Sequence, residues 1–337
     1  MRFQGANPEN IDSLMYEFEC ELLELDINHR TNSNNIINLT TKLRNPSDEL
    51  SNSQHMLYIN NFVKQEIDRI IQYVNILVNE NVDLHDICIL FPQKKASIIL
   101  KQRLENEHID YVDITDFKMD SISYKYPDLI KSVEQYIENK NSGKSVRSVI
   151  NQFINYYYSD DQNNIVLSLI LAFSKKFDSG YYSSLKTWER LQIFYNYLQM
   201  EINWIEVVKA YTKNKLYLST IHSSKGLEFD YIFMFGIIHY RLPHHTKCWP
   251  CQDFNNPKQV NVTEAHDLFY VGVSRAIKDV IFFFSRQDEQ NMDKKNRKLS
   301  CVFEEVADCL KIIGPNDDEH YFEDEDIKDI LCKPQMK

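Results

Sequence analysis

The sequence predicts an α/β fold whose parallel sheet is interrupted by a small helical segment. Three observations carry that reading. Helical periodicity alternates with unbroken apolar runs between residues 62 and 114, and helical periodicity without strands fills about 126 to 209. Apolar runs then return between 216 and 284.

The elements follow in order. From Phe62 to Val78 the apolar positions Ile67, Ile70, Ile71, Val74, Leu77 and Val78 recur at i, i+3, i+4 and i+7. That spacing puts them on one face of an amphipathic helix. Ile87-Cys88-Ile89-Leu90-Phe91 is a continuous apolar run, the pattern of a strand buried on both faces of a parallel sheet. A second helix is expected over about Lys95 to Asn106, and a strand at Tyr111-Val112-Asp113-Ile114. Helix, strand, helix, strand is the rhythm of an α/β domain. The region from about Tyr126 to Lys209 is rich in Ile, Tyr, Leu and Asn and reads as a helical subdomain. Strands are expected again at Leu216 to Ile221, Tyr231 to Ile238 and Val280 to Phe284. Asp317 to Asp329 holds eight acidic residues and one lysine and reads as an acidic, partly disordered tail. Its ordinary role is solubilising, with mimicry of DNA in a basic groove as the alternative.

Composition narrows the chemistry. Only seven of the 337 residues are glycine, and no two are closer than ten positions. Neither a G-x-G-x-x-G loop nor a G-x-x-x-x-G-K-[ST] loop can be built from them. Nucleotide chemistry in this chain must therefore be incomplete or shared with another chain. A net charge of -11 argues against a generally basic nucleic-acid coat, though not against a local basic groove. The longest mostly apolar run, Ile165 to Phe173, falls short of the ~20 residues that span a bilayer. The first residues, Met1-Arg2-Phe3-Gln4-Gly5, show no hydrophobic signal region, so a cytoplasmic protein without a membrane partner is expected. Seven cysteines without framework spacing point to reduced thiols.

The segment richest in chemistry is Ser219-Thr220-Ile221-His222-Ser223-Ser224-Lys225-Gly226-Leu227-Glu228-Phe229-Asp230. A strand delivers Thr-x-His, a Ser-Ser-Lys-Gly turn follows, and an acidic residue closes it. Such a loop at the carboxyl end of a strand offers hydroxyls, an imidazole, an ammonium and backbone N–H groups to a polyanion. Glu228 can accept a hydrogen bond from a sugar hydroxyl. A plain polar turn with Gly226 as its tight bend is the bland alternative. The stretch resembles motif V of the UvrD/Rep family of superfamily 1 DNA helicases, T-x-H-x-x-K-G-L-E-F, with all seven fixed letters present.

A second segment, Glu264-Ala265-His266-Asp267-Leu268-Phe269-Tyr270-Val271-Gly272-Val273-Ser274-Arg275-Ala276, is similar to that family's motif VI, E-E-R-R-L-x-Y-V-G-x-T-R-A. Read from its residues alone, it is an apolar helical face ending in an exposed arginine. An arginine at a domain edge can neutralise charge developing on a γ-phosphate, an effect of ~10³–10⁵ in rate. Ala265, His266 and Asp267 stand where the family has Glu and two Arg, which weakens the expected contacts.

Two earlier segments follow the family's order. Leu25-Asp26-Ile27-Asn28-His29-Arg30-Thr31 is similar to motif IV, N-Y-R-S/T, with His29 in place of a tyrosine that stacks on adenine. Arg2-Phe3-Gln4-Gly5-Ala6 is similar to the end of motif III, Y-x-[WF]-R-G-A, with Gln4 replacing its Arg. Phe3 then matches an aromatic on which a single-stranded base stacks, worth ~1–3 kcal/mol per base.

The resemblance implies a RecA-like, P-loop NTPase-type 2A domain carrying a small helical 2B-like insert. It divides the chain into 1–12 (a remnant of the upstream motor domain), 13–125 and 210–315 (the two halves of 2A), 126–209 (the insert) and 316–337 (the acidic tail). It implies catalytic roles for Arg275 and Arg30 at the γ-phosphate. ATP would be held by His29, Arg30, Gly226, Glu228 and Arg275, with Glu228 on the ribose and His29 on the base. Single-stranded DNA would be gripped by Phe3, Thr220 and His222. ATP and Mg²⁺ would be shared with an upstream helicase half, or a partner protein, that carries the Walker A motif. This chain would be inactive alone. Partly duplex DNA is an equally expected substrate, and the rival expectation is a catalytically inactive DNA- or protein-binding module.

Two further features stand outside that pattern. Cys248 and Cys251 form a C-x-x-C near His244 and His245. Zinc or redox chemistry is conceivable there, but without a second pair no metal is expected. Tyr156-Tyr157-Tyr158, Tyr181-Tyr182 and Trp188 lie in the helical segment, where core packing is the expectation and a DNA- or partner-facing surface the alternative.

Overall fold

The computed structural model describes residues 16–18, 31–45, 54–115, 126–159, 165–198, 214–239, 241–242, 262–288, 297–322 and 324–330. The chain divides into two compact units, one of residues 1–115 with 216–337 and one of residues 116–215.

The first unit is an α/β sheet domain. Its elements are α1 (Asn34–Arg44), β1 (His55–Phe62), α2 (Val63–Asn79), β2 (Ile87–Phe91), α3 (Ser97–Asn106) and β3 (Tyr111–Asp113). After the second unit come β4 (Leu216–Thr220), β5 (Phe229–Phe235), α8 (Val262–Val273), β6 (Ala276–Gln287), β7 (Leu310–Ile313), β8 (Glu319–His320) and α9 (Glu325–Lys328). The eight strands lie in the order β3-β4-β2-β5-β6-β1-β7-β8. Every pair is parallel except β7 with β8.

The apolar runs explain the centre of this sheet. All five residues of β2 are buried, as a strand covered on both faces requires. α2 lays Ile67, Ile70, Ile71, Val74 and Leu77 onto the sheet. There Tyr58 stacks on Phe283 with ring centroids 5.7 Å apart. Each such buried side chain contributes roughly 1.5–3 kcal/mol.

The first strand escapes the apolar pattern because it carries polar residues inward. His55 is fully buried, with Nδ1 2.8 Å from Asp279 Oδ1 and Nε2 3.1 Å from the Asn35 carbonyl. Asn60 donates from Nδ2 to the Phe284 carbonyl at 3.1 Å. Both are satisfied by partners distant in sequence, so burial is tolerated.

Part of the expected tail is folded. β8 pairs Ile312 with His320 and Ile313 with Glu319, and α9 follows. Ile327 is fully buried, and the Ile330 carbonyl accepts the Leu299 N–H at 2.7 Å. The acidic count overlooks these two isoleucines, whose burial anchors the segment.

The second unit holds α4 (Pro127–Glu138), α5 (Val146–Tyr157), α6 (Ile165–Ser174) and α7 (Thr187–Leu198). Its described residues contain no strand. Phe173, Phe177 and Phe194 pack together at its centre. Asp178 accepts the N–H groups of Val146 and Arg147 at 2.7 and 3.0 Å, capping α5 from a distant segment. The expectation of core tyrosines fails at Tyr156, Tyr157 and Tyr181, which are 78%, 42% and 84% exposed. The aliphatic faces of α4 and α5 and the phenylalanines already fill this small core.

No helix among the described residues is long and apolar enough to cross a membrane.

Candidate functional site

The connection from β4 to β5 builds the site. β4 ends at Thr220, level with Phe91 at the carboxyl end of β2. β5 places Tyr231 level with Ile87 at the amino end of β2. The eight residues between Thr220 and Phe229 therefore run from one end of the sheet to the other. The sequence places the whole segment at the carboxyl end; the register corrects this. Thr220 and His222 lie there, whereas Glu228 lies at the amino end.

Backbone hydrogen bonds shape the descent. Ile221 N–H donates to the Phe91 carbonyl at 3.1 Å, Ser224 N–H to Thr220 at 3.1 Å and Leu227 N–H to Ser224 at 3.0 Å. Gly226 has φ +86°, a left-handed conformation that disfavours any side chain. The turn leaves His222, Lys225 and Gly226 exposed and Glu228 partly buried. Thr220 Oγ1 donates to Ser223 Oγ at 2.9 Å, and Ser223 Oγ donates onward to the Thr115 carbonyl at 2.8 Å. Sequence reasoning gives Ser223 no individual role, since its partner lies 108 residues away.

α8 delivers Arg275 to the other end of this connection. The expectation of an exposed arginine is not met: Arg275 is 7% exposed. Its Nε donates to the Val271 carbonyl at 3.0 Å, its Nη2 to Ser274 Oγ at 3.0 Å and its Nη1 to the Leu227 carbonyl at 3.3 Å. The carboxyl end of a helix leaves carbonyls without helical partners and carries partial negative charge. That environment holds the guanidinium inward. Phe229 N–H donates to the Arg275 carbonyl at 3.0 Å, so Glu228 is bracketed by contacts to Arg275. Gly272 lets α8 approach closely: an added Cβ would stand 2.8 Å from Met234 Cε and 3.3 Å from Ile221 Cγ2.

Further groups gather at this amino-terminal edge. Thr31, the residue after Arg30, donates from Oγ1 to the Ile277 carbonyl, two residues beyond Arg275. Lys278 pairs with Asp230 at 2.7 Å, and this hydrogen bond holds its ammonium above the usual lysine range. Burial pushes the nearby Asp86 carboxyl up. His266, at a position where the family pattern has arginine, pairs with Glu305 at 2.8 Å.

The β4–β5 connection thus carries Thr220 and His222 at one end and Gly226 and Glu228 toward the other, where Arg275, from the turn between α8 and β6, bonds to it through Leu227 and Phe229. Phe3, His29, Arg30, Cys248 and Cys251 lie outside the described residues, as does the side chain of Glu264.

Comparison with known proteins agrees with these motifs. Residues 120–287 match the model of the UvrD-like helicase C-terminal domain. Over 251 residues the chain is 24% identical to the ATP-dependent DNA helicase Rep of Buchnera aphidicola subsp. Schizaphis graminum (strain Sg), covering 66% of this chain and 36% of that protein. It is 34% identical over 77 residues to the ATP-dependent DNA helicase Rep of Escherichia coli (strain K12), covering 23% and 10%. It is 36% identical over 110 residues to the same-named protein of Buchnera aphidicola subsp. Baizongia pistaciae (strain Bp), covering 31% and 15%. The chain spans about a third or less of the length of these relatives. The chain belongs to the UvrD/Rep-like superfamily 1 helicases and carries their carboxyl-terminal portion.

Proposed function

We propose that the sheet unit is the nucleotide-completing, DNA-gripping half of an ATP-driven DNA motor. The observation that supports this most is the path of residues 221–228. They link a group suited to single-stranded DNA, Thr220 and His222, to a group suited to a nucleotide, Glu228 and Arg275.

In this proposal the Walker A half of a helicase supplies the phosphate-cradling loop and the Mg²⁺ ligands. Arg275 and Arg30 neutralise charge on the γ-phosphate. Glu228 accepts from the ribose, His29 covers the base, and the Gly226 turn lets backbone approach the nucleotide. Phe3 stacks on a base of the strand whose backbone meets Thr220 and His222. The helical unit stands where the family carries its 2B subdomain. When the nucleotide edge closes, Arg275 exchanges the Val271 and Leu227 carbonyls for phosphate oxygens. The Leu227 contact is then released, and the loop carrying His222 moves against DNA.

The test is binding of a fluorescent oligo(dT) by the full chain, read by anisotropy at several salt concentrations. Specific contacts predict saturable binding that weakens with salt and falls in His222→Ala. Binding that is absent, or unchanged in His222→Ala, contradicts the DNA half of the proposal.

A second reading, a catalytically inactive binding module, is favoured by two observations. Arg275 is turned onto its own backbone, while His266 serves Glu305 instead of an interdomain contact. Under that reading Arg275 is a structural strut and DNA binding persists without any contribution to ATP hydrolysis.

A further inference from the structure

We infer that Ser223 is a positioning residue that ties the β4–β5 connection to the point where the chain leaves the sheet for the helical unit. The inference rests on the DNA-contacting role proposed for Thr220 and His222.

Thr115 is the last residue of the sheet unit before the helical unit begins at Asp116. β3 ends at Asp113, and the ladder to β4 continues one step further, Ile114 N–H donating to the Leu218 carbonyl at 2.9 Å. Thr115 is then held on both sides. Its N–H donates to Asp113 Oδ1 at 2.8 Å, and its carbonyl accepts from Ser223 Oγ at 2.8 Å. Asp113 is itself paired with Lys101. Ser223 is in turn fixed by Thr220, whose Oγ1 donates to Ser223 Oγ at 2.9 Å and accepts the Ser223 N–H at 3.2 Å.

The return path reinforces this link. The chain comes back from the helical unit at Lys215 and enters β4 at once, Leu216 N–H donating to the Asp110 carbonyl at 2.9 Å. β4 ends at Thr220. Both covalent routes between the two units therefore converge on Thr220 and Ser223: one through β4, the other through the Ser223 bond to the Thr115 carbonyl, which lies one residue beyond the end of the β3–β4 ladder. A shift of the connection on binding DNA pulls on both routes. Ser223 carries that shift across to the outgoing route, because its hydroxyl is the donor to the Thr115 carbonyl.

The experiment is hydrogen exchange of the full chain, with and without oligo(dT), in wild type, Ser223→Ala and Ser223→Thr. Peptides covering 111–115, 221–228 and 87–91 are followed. Without DNA, Ser223→Ala is expected to raise exchange in 111–115 by roughly two- to tenfold, the worth of one hydrogen bond. Ser223→Thr keeps a hydroxyl and stays near wild type. Unchanged protection in 87–91 shows that the buried centre of the sheet remains folded in both variants. With oligo(dT), wild type changes its exchange in both 221–228 and 111–115, whereas Ser223→Ala responds in 221–228 alone. Two results overturn the inference: no increase in 111–115 for ligand-free Ser223→Ala, or a DNA response in 111–115 that matches wild type. If wild type shows no response to oligo(dT) anywhere, the DNA reading fails, and the ligand-free comparison still decides whether Ser223 holds the exit.

Discussion

Arg275 and Leu227 are joined by a 3.3 Å hydrogen bond from Nη1 to the main-chain carbonyl. Phe229 N–H returns a second link to the Arg275 carbonyl at 3.0 Å. Glu228 sits between these two tethers, so the carboxylate proposed for the ribose is placed by the arginine proposed for the phosphate. The arginine is stored at the end of α8 and its side chain must rotate outward to act. That makes its structural and chemical contributions separable.

The structural contribution is measured by unfolding. Arg275→Ala removes three donors, to Val271, Ser274 and Leu227. A destabilisation of roughly 1–3 kcal/mol is expected in urea unfolding followed by circular dichroism. Arg275→Lys recovers only part of it, since one ammonium cannot span three separated acceptors. Equal stability of wild type and Arg275→Ala contradicts the strut.

Close approach of α8 to the sheet makes Gly272 sensitive to size. In Gly272→Ala the new methyl meets the mobile end of Met234, and the helix gains propensity, so a change within about 1 kcal/mol is expected. Gly272→Leu must displace Ile221 as well and is expected to lose roughly 1–3 kcal/mol. If leucine is tolerated as well as alanine, α8 does not press on the start of the β4–β5 connection.

Glu66 gives the sheet a pH dependence. It is fully buried on α2 and accepts from Ser285 Oγ at 2.6 Å. Burial pushes its carboxyl above the ordinary glutamate range, against the lowering effects of Ser285, Arg297, the Gly236 amide and Arg241. The folded protein then holds this proton more tightly than the unfolded chain. Stability from the group is complete below about pH 4.3, the ordinary value, and is lost as pH rises toward and through the folded value. Glu66→Gln cannot ionise. Its stability relative to wild type should therefore grow, in urea midpoints, as pH rises above the ordinary glutamate value, until the folded carboxyl itself ionises. A difference that stays flat or shrinks over this range contradicts the direction.

The folded end of the acidic segment is tested at Ile327. Ile327→Ala is expected to lower stability of the sheet unit by roughly 2–5 kcal/mol, as for other buried isoleucines. A solubilising tail would show no change.

Much of the sheet was legible because β2, the start of β4 and the second half of β5 are buried and written in apolar residues. β1 was not legible, since His55 and Asn60 interrupt it and their partners Asp279 and Phe284 lie 224 residues away. The site residues Thr220, His222, Gly226, Glu228 and Arg275 could be named from motif spacing alone. Their distribution over opposite ends of the sheet could not, because it depends on the registers of β4 and β5 against β2. The inward turn of Arg275 was equally hidden: the motif gives its position, whereas the Val271 and Leu227 carbonyls that hold it exist only once α8 meets β5 and β6.

The most direct test of the proposed function is ATP hydrolysis in the presence of oligo(dT) by this chain mixed with a Walker A-bearing half of a UvrD/Rep-like helicase. The chain alone is expected to show no turnover. The mixture is expected to hydrolyse ATP, with a fall of ~10³-fold or more in Arg275→Ala and with oligo(dT) binding retained in that variant. Turnover by the chain alone, or a mixture as active with Arg275→Ala as with wild type, contradicts the account.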